Sequence, residues 1–214
     1  MELRLETKAD EREVENLTRE SFWDVYRPGC SEHYVLHLLR KSPAFIPELD
    51  YVMCSNGRIV GSIVYSRMFY AGKGSAAGEG SYAESPDVVM FGPVCVAKEY
   101  QGQGIGSQLI RYTQEKAKSF GYKAVLITGN PAYYSRFGFR TAAEEYNVLL
   151  PGMSLNEDTS YFMGLELERG YFKTHAGVYM YDTSFEPPAH DTEEFDRLFP
   201  PKKKRNSLPG DLSI

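Results

Sequence analysis

The chain has 214 residues, of which 42% are hydrophobic and 25% charged, and its formal net charge is -5. This composition is typical of a globular protein with one sizeable hydrophobic core and, at this length, a small additional part. No apolar run approaches the roughly 18 residues that a membrane-spanning helix requires, and the acidic balance gives no support to a nucleic-acid partner. We therefore expect no membrane and no nucleic acid among its partners.

The N-terminus and the cysteines predict a cytoplasmic protein. Residues 1–16 are charged from the second position onwards and contain no apolar core of a secretory signal. Cys30, Cys54 and Cys95 are odd in number and widely spaced, which favours free thiols in a reducing compartment. The same spacing argues against a disulfide framework and against a zinc site.

The first seventy residues predict a strand, two helices and a hairpin. Glu2–Thr7 alternates apolar and polar positions as a strand does, and Asp10–Glu13 has the spacing of a capping box at a helix start. Ser31 is the expected cap of the second helix. Two apolar runs within residues 51–70 flank Asn56-Gly57, which predicts a tight hairpin turn.

The middle of the chain predicts a βαβ unit. Residues 71–86 are rich in Gly, Ala and Ser and predict a mobile loop between strands or an extended hairpin tip. Asp87–Val96 is nearly all apolar, as a strand buried on both faces is, but Gly92-Pro93 inside it predicts a bulge or a local splaying. A helical pattern then reaches Gly121, and Lys123–Thr128 is the next buried strand.

Three glycines stand at alternate positions, 102, 104 and 106, between that strand and that helix. Free backbone N–H groups at a helix start, together with the helix dipole, bind phosphate. The glycine spacing alone also fits a tight turn, and both interpretations stay open on this ground. A Walker loop is excluded because Gly106-Ser107-Gln108 has no lysine, and the dinucleotide fingerprint is excluded because it requires glycine at Ser107.

The segment Gln101-x-x-Gly104-x-Gly106 resembles the acyl-CoA loop of the GCN5-related N-acetyltransferase (GNAT) family, Gln/Arg-x-x-Gly-x-Gly/Ala. A second signature follows the next predicted strand at residues 130–139, NPAYYSRFGF. It resembles the closing helix of that family, in which a tyrosine, here Tyr134, lies four residues before a Gly-Phe pair. The two signatures in this order are far more specific than either is alone.

The resemblance covers about residues 1–150 and implies a GNAT acetyltransferase core. Its fold is α/β (α+β), with a mixed, mostly antiparallel central sheet, flanking helices and splayed central strands. We expect residues 151–185 to add C-terminal strands that complete or extend the sheet. Residues 186–214 are expected to form a Pro-rich tail with a short helix at residues 192–198. Within the family, the YYSRFGF run and residues 162–168 most resemble the YhbS-like predicted acetyltransferases.

The resemblance implies transfer of an acetyl group from acetyl-CoA to a primary amine of a small molecule or protein, by direct attack in a ternary complex and without a metal. Tyr134 is then the catalytic acid that protonates the leaving CoA thiolate. Backbone N–H groups of the splayed strand pair with pantetheine and stabilise the oxyanion, while the loop amides hold the pyrophosphate. The residues implied to contact acetyl-CoA are Val94, Cys95, Val96, Gln101, Gly102, Gln103, Gly104, Ile105, Gly106, Ser107, Asn130, Ala132, Tyr133 and Phe137.

Several questions stay open in the sequence. Glu79, Glu84 and Asp87 flank the central strand, and none of them can be chosen as the general base. The amine acceptor is not identified, and a homodimer is compatible with the sequence. A catalytically silent acyl-CoA-binding sensor or interaction module is the alternative function, and a nucleotide-binding domain using the same glycines is a third.

The remaining cysteine, histidine and lysine motifs are expected to have no catalytic or metal-binding role. Cys95 is expected to be a buried thiol, because no histidine stands near it in sequence. His33 and His37 have a metal-like spacing, but Tyr34 occupies the position where a zincin motif has glutamate, so no metal site is expected. Lys202–Arg205 is interpreted as a solvated tail.

Overall fold

The computed structural model of the protein describes residues 1–71 and 82–206. Helices and strands alternate along these residues. In chain order they are β1 (Glu2–Leu5), α1 (Glu11–Phe22), α2 (Glu32–Leu39), β2 (Tyr51–Ser55), β3 (Arg58–Tyr70), β4 (Ala83–Val96), α3 (Ile105–Ser119), β5 (Ala124–Thr128), α4 (Pro131–Tyr134), β6 (Arg140–Thr141), α5 (Ala142–Tyr146), β7 (Val148–Leu149), β8 (Phe162–Glu166), α6 (Phe172–His175), β9 (Gly177–Met180) and α7 (Ala189–Asp196). Over the described ranges, no helix is long and apolar enough to cross a bilayer.

Most neighbouring strands pair antiparallel. This holds for β1 with β2, β2 with β3, β3 with β9, and β8 with both β5 and β6. Two pairs are parallel, β4 with β5 and β7 with β9. The predicted fold class, a mixed and mostly antiparallel sheet with flanking helices, is therefore confirmed.

The chain divides into two compact units. The first contains Met1–Val64, Pro93–Leu109 and the residues from Thr183 onwards, and the second contains Tyr65–Gly92 and Ile110–Asp182. The elements β3, β4 and α3 each contribute residues to both units. The predicted domain division at residues 150 and 185 stays a prediction.

The hairpin predicted in the first unit is confirmed. Strands β2 and β3 pair from Ser55 with Arg58 to Tyr51 with Ile63, and their register shifts by one residue between Met53 and Cys54. The turn residues Asn56 and Gly57 have φ of 50° and 78°, as the tight turns that match strand twist require. The Asn-Gly pair thus determines the register next to the turn, up to the shift between Met53 and Cys54.

The predicted capping box at the start of α1 is wrong. The carboxylate of Asp10 makes no capping bond and instead accepts hydrogen bonds from Arg4 at 2.7 Å and from the hydroxyl of Thr7 at 2.6 Å. The bond from Arg4 is the main cause that lowers the pKa of this carboxyl far below its ordinary value. Arg4 on β1 therefore binds the Asp10 carboxylate, which the local pattern predicted to cap α1. Ser31 likewise makes no side-chain cap at α2.

The chain's last described residues pack on α1 and α2 inside the first unit. We call residues 195–205 the C-terminal segment. Its rings Phe195 and Phe199 are buried, and its Asp196 binds the buried guanidinium of Arg19, with 2.6 Å between Oδ1 and Nε. The preceding helix, α7, begins three residues before the short helix predicted at 192–198.

The interpretation of Lys202–Arg205 as a solvated tail is correct only in part, because Lys203, Lys204 and Arg205 are exposed but the segment also contacts α1. Lys202 Nζ lies 2.5 Å from a carboxylate oxygen of Glu20. The indole Nε1 of Trp23 donates to the carbonyl oxygen of Lys203 at 3.2 Å. The buried phenylalanines upstream anchor the segment, which brings these charged residues against α1.

The strands of the second unit are built around β5. Its residues pair with β4 on one side, over Val88–Met90, and with all of β8 on the other. The strand β4 begins at Ala83, so the loop predicted for residues 71–86 extends too far; its residues 72–81 lie outside the described ranges.

The two C-terminal strands, β8 and β9, were both predicted, but they do not form a hairpin. Strand β8 pairs with β5 and β6, while β9 pairs with β3 and β7. The helix α6 separates them along the chain. Each strand therefore fills its own place in the sheet, which spacing along the sequence does not reveal.

Candidate functional site

The glycine loop belongs to the first unit and joins β4 to α3. Two glutamine side chains brace it: Gln101 Nε2 donates to the carbonyl oxygen of Val96 at 3.1 Å, and Gln103 Nε2 to that of Glu99 at 3.0 Å. Residues 101–104 are exposed to solvent. The glutamines thus bond to carbonyl oxygens of the preceding turn and leave the backbone N–H groups of the loop uncovered.

Two of the three glycines are required by the backbone. Gly102 and Gly104 have φ of 75° and 82°, a left-handed conformation that other residues adopt only with strain. A Cβ built on either would meet nothing within 4 Å. Glycine is therefore needed here for the path of the chain and not for lack of space. Gly106 is the second residue of α3.

The start of α3 presents several backbone N–H groups without an intrahelical acceptor. The first bond of the helix runs from Gln108 N–H to the carbonyl oxygen of Gly104, at 3.0 Å. The N–H groups of residues 104–107 precede that bond, and helix geometry gives them no carbonyl to bind. Together with the positive end of the helix dipole, they can hold an anion such as a phosphate group.

The packing of α3 depends on a glycine that lies outside the sequence motifs. A Cβ on Gly61 of β3 would lie 3.0 Å from the side chain of Ile105 and 3.1 Å from that of Leu109. The missing side chain lets the first turns of the helix approach the strand. In the sequence, a glycine inside the apolar run of residues 58–70 could have indicated that another element approaches this strand closely.

The end of β4 presents alternate residues. Pro93 and Cys95 are buried, while Val94 and Val96 are half-buried. The Sγ atom of Cys95 lies 3.2 Å from the hydroxyl oxygen of Ser62, and burial raises the pKa of the thiol. A neutral, buried thiol fits the structural interpretation of Cys95 and not an acyl-cysteine intermediate.

The parallel ladder between β4 and β5 is short. Its last residue pair is Met90 with Leu126, although β5 continues to Thr128. Two residues after the ladder ends, Gly92 has a φ of 146°. An irregularity of β4 is thus found at Gly92-Pro93, where a bulge or a splaying was predicted.

The predicted catalytic residue, Tyr134, belongs to the second unit and ends the short helix α4. Asn130 caps this helix, because its Oδ1 accepts from Ala132 N–H at 2.9 Å. The ring of Tyr134 is half-buried and lies 5.9 Å from the ring of Phe91 and 6.1 Å from that of Phe139. These buried rings fix the position of the tyrosine.

A second glycine outside the motifs makes room for Tyr134. A Cβ on Gly129 would lie 2.3 Å from Cε2 of the tyrosine ring, a distance that no relaxed structure tolerates. Gly129 directly follows β5 and precedes the capping Asn130. A glycine between a buried strand and a helix cap was the signal in the sequence that could have identified it.

The neighbours of Tyr134 form an aromatic cluster with arginines around it. Phe137 is buried, and its carbonyl oxygen accepts from Gln114 Nε2 at 3.3 Å. Tyr133 lies 5.4 Å from the Phe137 ring. The second unit thus brings together the predicted contacts Asn130, Ala132, Tyr133 and Phe137, while Val94–Val96 and Gln101–Ser107 belong to the first unit.

The candidate general bases differ in their surroundings. Glu84 is exposed and lies 3.1 Å from Arg67 in an ion pair. The carboxylate of Asp87 accepts from the hydroxyl of Tyr171 at 3.5 Å. Glu79 lies outside the described residues, and none of the three is assigned.

The two histidines with metal-like spacing have other contacts. His33 is fully buried, with Nε2 3.3 Å from a carboxylate oxygen of Asp196 and Nδ1 3.4 Å from the Sγ of Cys30. His37 Nδ1 lies 2.9 Å from Glu15. Within residues 1–71 and 82–206, no group of three or more His, Cys, Asp or Glu side chains is arranged to hold a metal ion.

Comparison with known proteins agrees with this arrangement. A family model described as an acetyltransferase (GNAT) domain matches residues 48–141. The uncharacterized N-acetyltransferase YhbS of Escherichia coli K12 is 30% identical over 143 residues, which make up 67% of this chain and 75% of that protein.

Solved structures give the same result. The crystal structure of the GNAT family N-acetyltransferase YhbS from Escherichia coli in complex with CoA has a TM-score of 0.70 to this chain at 26% identity, covering 87% of this chain and 92% of that one. A GNAT family acetyltransferase from Brucella melitensis in complex with acetyl-CoA, at 24% identity, has a TM-score of 0.66 and shares the fold, covering 86% and 97%.

Fold, glycine loop and closing helix together define an acyltransferase. The chain belongs to the GNAT family of N-acetyltransferases, and the predicted similarity to YhbS is confirmed.

Proposed function

We propose that the protein transfers an acetyl group from acetyl-CoA to a primary amine, by direct attack of the amine while both substrates are bound. The observation that carries this proposal is the set of N–H groups at the start of α3 that have no intrahelical acceptor, next to the left-handed residues Gly102 and Gly104. When bound, acetyl-CoA supplies an activated acyl group as a thioester. A cytoplasmic location and a homodimer stay predictions of the sequence.

The donor set of the loop suits the pyrophosphate of that substrate. The backbone N–H groups of residues 104–107 are donors without an intrahelical acceptor, and each hydrogen bond that they make to a charged oxygen contributes about 1.5–3 kcal/mol. Three or four of them approach the roughly 8 kcal/mol of micromolar affinity. Gln101 and Gln103 hold the loop in shape through carbonyl oxygens. In this proposal the backbone of Val94–Val96 binds the pantetheine arm.

Tyr134 is the proposed general acid. Its Oη donates a proton to the departing thiolate, a role that requires a ring held in one position. Phe91, Phe139 and the absence of a side chain at Gly129 support such a position. A positioned general acid contributes about 10²–10⁴-fold to the rate.

The acceptor is proposed only as a primary amine, of a small molecule or of a protein. YhbS is named an N-acetyltransferase and is itself uncharacterized, so it offers no narrower class. A panel of polyamines, amino sugars, amino acid amides and lysine peptides covers the chemistry that the sequence leaves open.

The test combines binding and turnover. CoA affinity is measured by calorimetry, and CoA release from acetyl-CoA is followed by thiol detection across the amine panel. Tyr134→Phe is expected to lower kcat by about 10²–10⁴-fold without changing CoA affinity. Tyr112→Phe, at an exposed tyrosine of α3, serves as the matched control and should retain full activity.

Three results would change the proposal. Equal turnover in Tyr134→Phe removes this residue from the mechanism. CoA binding without turnover of any amine favours the silent acyl-CoA binder. Thermal protection by ATP or NAD, with no effect of CoA, favours a nucleotide-binding domain. It would exclude both the acetyltransferase and the silent acyl-CoA binder.

A further inference from the structure

One buried side chain of α3 reaches the turn that follows Tyr134, and both belong to the second unit. Gln114 is buried, and its Nε2 donates to the carbonyl oxygen of Phe137 at 3.3 Å. The residues Ser135–Phe137 form a short 3₁₀ helix that directly follows α4, so the backbone continues from Tyr134 to this carbonyl as one turn. The contact from Gln114 therefore lies three residues after the proposed general acid.

The carbonyl group of Phe137 needs a donor from outside its own helix. The last carbonyl groups of a helix find no N–H donor within that helix. The helix does not continue, because Gly138 has a left-handed φ of 92° and turns the chain away. The bond from Gln114 is buried, so its loss would leave a carbonyl oxygen without a partner and with little access to water. The amide of Gln114 therefore fixes where the turn ends.

A neighbouring bond to the same turn is exposed. Arg111 stands three residues before Gln114 on the same side of α3, and its Nη2 donates to the carbonyl oxygen of Arg136 at 3.3 Å. Water can replace an exposed donor at small cost, whereas a buried donor has no such substitute. The buried bond from Gln114 is therefore the one expected to determine the position of the turn.

The ring of Tyr134 is supported from α3 as well, through packed aromatic side chains. The hydroxyl oxygen of Tyr65 lies 3.0 Å from that of Thr113, the residue before Gln114. The ring of Tyr65 lies 5.4 Å from the ring of Phe91, which lies 5.9 Å from the ring of Tyr134. Ring packing restricts the plane of the tyrosine, and the position of the backbone decides where its Oη lies within that plane.

We propose that Gln114 is a positioning residue for acetyl transfer, which fixes the Oη of Tyr134 by holding the carbonyl group of the turn that follows it. This inference rests on the proposed function, in which that Oη protonates the leaving thiolate. Proton transfer requires a donor and an acceptor within about 2.6–3.2 Å of each other. A displacement of about 1 Å lowers a rate by about 100-fold, so a residue that never contacts the substrate controls turnover in this way.

The first test removes the donor and keeps the length of the side chain. Gln114→Met is expected to lower kcat by about 10- to 100-fold, with the CoA affinity measured by calorimetry unchanged. Glu115→Met, at the next and exposed position of α3, is the matched control and should retain the wild-type kcat. Circular dichroism at the assay temperature checks that both variants are folded. A wild-type kcat in Gln114→Met would overturn the inference.

A double-mutant comparison distinguishes positioning from a general loss of structure. If Gln114 acts only through the Tyr134 hydroxyl, Gln114→Met should not lower kcat further in a Tyr134→Phe background. An equal fold-loss in both backgrounds would overturn the inference and leave the role of Tyr134 intact. Full turnover in Tyr134→Phe alone would overturn that role and the inference with it.

A spectroscopic readout tests the inference without turnover. Tyrosine labelled in the ring is incorporated, and the NMR signal of Tyr134 is identified by its loss in Tyr134→Phe. Gln114→Met is expected to shift or broaden this signal, and Glu115→Met is expected to leave it unchanged. An unchanged signal in Gln114→Met would overturn the inference whether or not any amine is acetylated. A changed signal in a protein that acetylates no amine of the panel would support the positioning and contradict only the proposed function.

Discussion

The glycine loop and the C-terminal segment lie in the same unit, but their conformations have different origins. The loop is determined by neighbours in sequence: its two left-handed glycines and the bonds from Gln101 and Gln103 involve only nearby residues. The C-terminal segment is held by Arg19 and Asp196, which are 177 positions apart. The first region is proposed to bind a ligand, whereas the second stabilises α1 and α2.

The largest expected change in stability follows substitution of Asp196, which should destabilise the fold without affecting ligand binding. Asp196→Ala leaves the guanidinium of Arg19, which is 1% exposed, without its bidentate partner. Loss of one member of a buried ion pair costs about 3–5 kcal/mol, and urea unfolding followed by circular dichroism measures it. Asp191→Ala, at an exposed position of the same helix, should cost less than about 0.5 kcal/mol. Lost CoA affinity in the folded Asp196 variant would contradict the separation.

The next largest effect is the loss of stability at low pH that protonation of His33, a neighbour of Asp196, causes. Burial lowers the pKa of His33 to about 4, against the opposing charge of Asp196. A lowered pKa means that the stability from neutral His33 is fully present above pH 6.5 and is lost as the pH falls through about 4, on the order of 2–3 kcal/mol.

The measurement is the free energy of unfolding between pH 7 and pH 4. His33→Gln should flatten its decrease with falling pH, and His190→Gln, at an exposed histidine of α7, should not. Equal slopes in all three proteins would show that another group causes the decrease.

The smallest effect on stability is expected in the glycine loop. Gly104→Ala and Gly57→Ala introduce the same side chain at φ of 82° and 78°, each into open space. Both should lose about 1–2 kcal/mol of stability, because left-handed backbone disfavours alanine. Only Gly104→Ala should weaken CoA binding, by about tenfold or more, since its distorted loop presents the N–H groups less well. Equal CoA affinity in the two variants would remove Gly104 from the site.

Local sequence patterns predicted those features that local interactions determine. The Asn56-Gly57 hairpin and the glycine loop each depend on a few consecutive residues. The capping box at Asp10 failed because Arg4, on another element, binds the same carboxylate. The clearance at Gly129 depends on the tertiary position of the Tyr134 ring, which no periodicity encodes.

The sequence patterns also did not predict that the C-terminal segment packs against α1, for a related reason. Its run Lys202–Arg205 resembles a solvated tail when taken alone, and the buried Phe195 and Phe199 upstream bring it to α1. Charge runs predict solvation in the absence of an anchor. The anchor here is an aromatic cluster shared with His33, a residue far earlier in the chain.

The hydrogen bond from the Trp23 indole to Lys203 gives this protein an intrinsic optical reporter. Trp23 is the chain's single tryptophan, and its ring lies 4.3 Å from the guanidinium of Arg19 and 5.4 Å from the ammonium of Lys202. Emission excited near the red edge of indole absorption therefore comes from one place, the surface that the C-terminal segment covers. Any change in the contacts of that segment would alter the intensity and wavelength of this emission in the intact protein, without any added label.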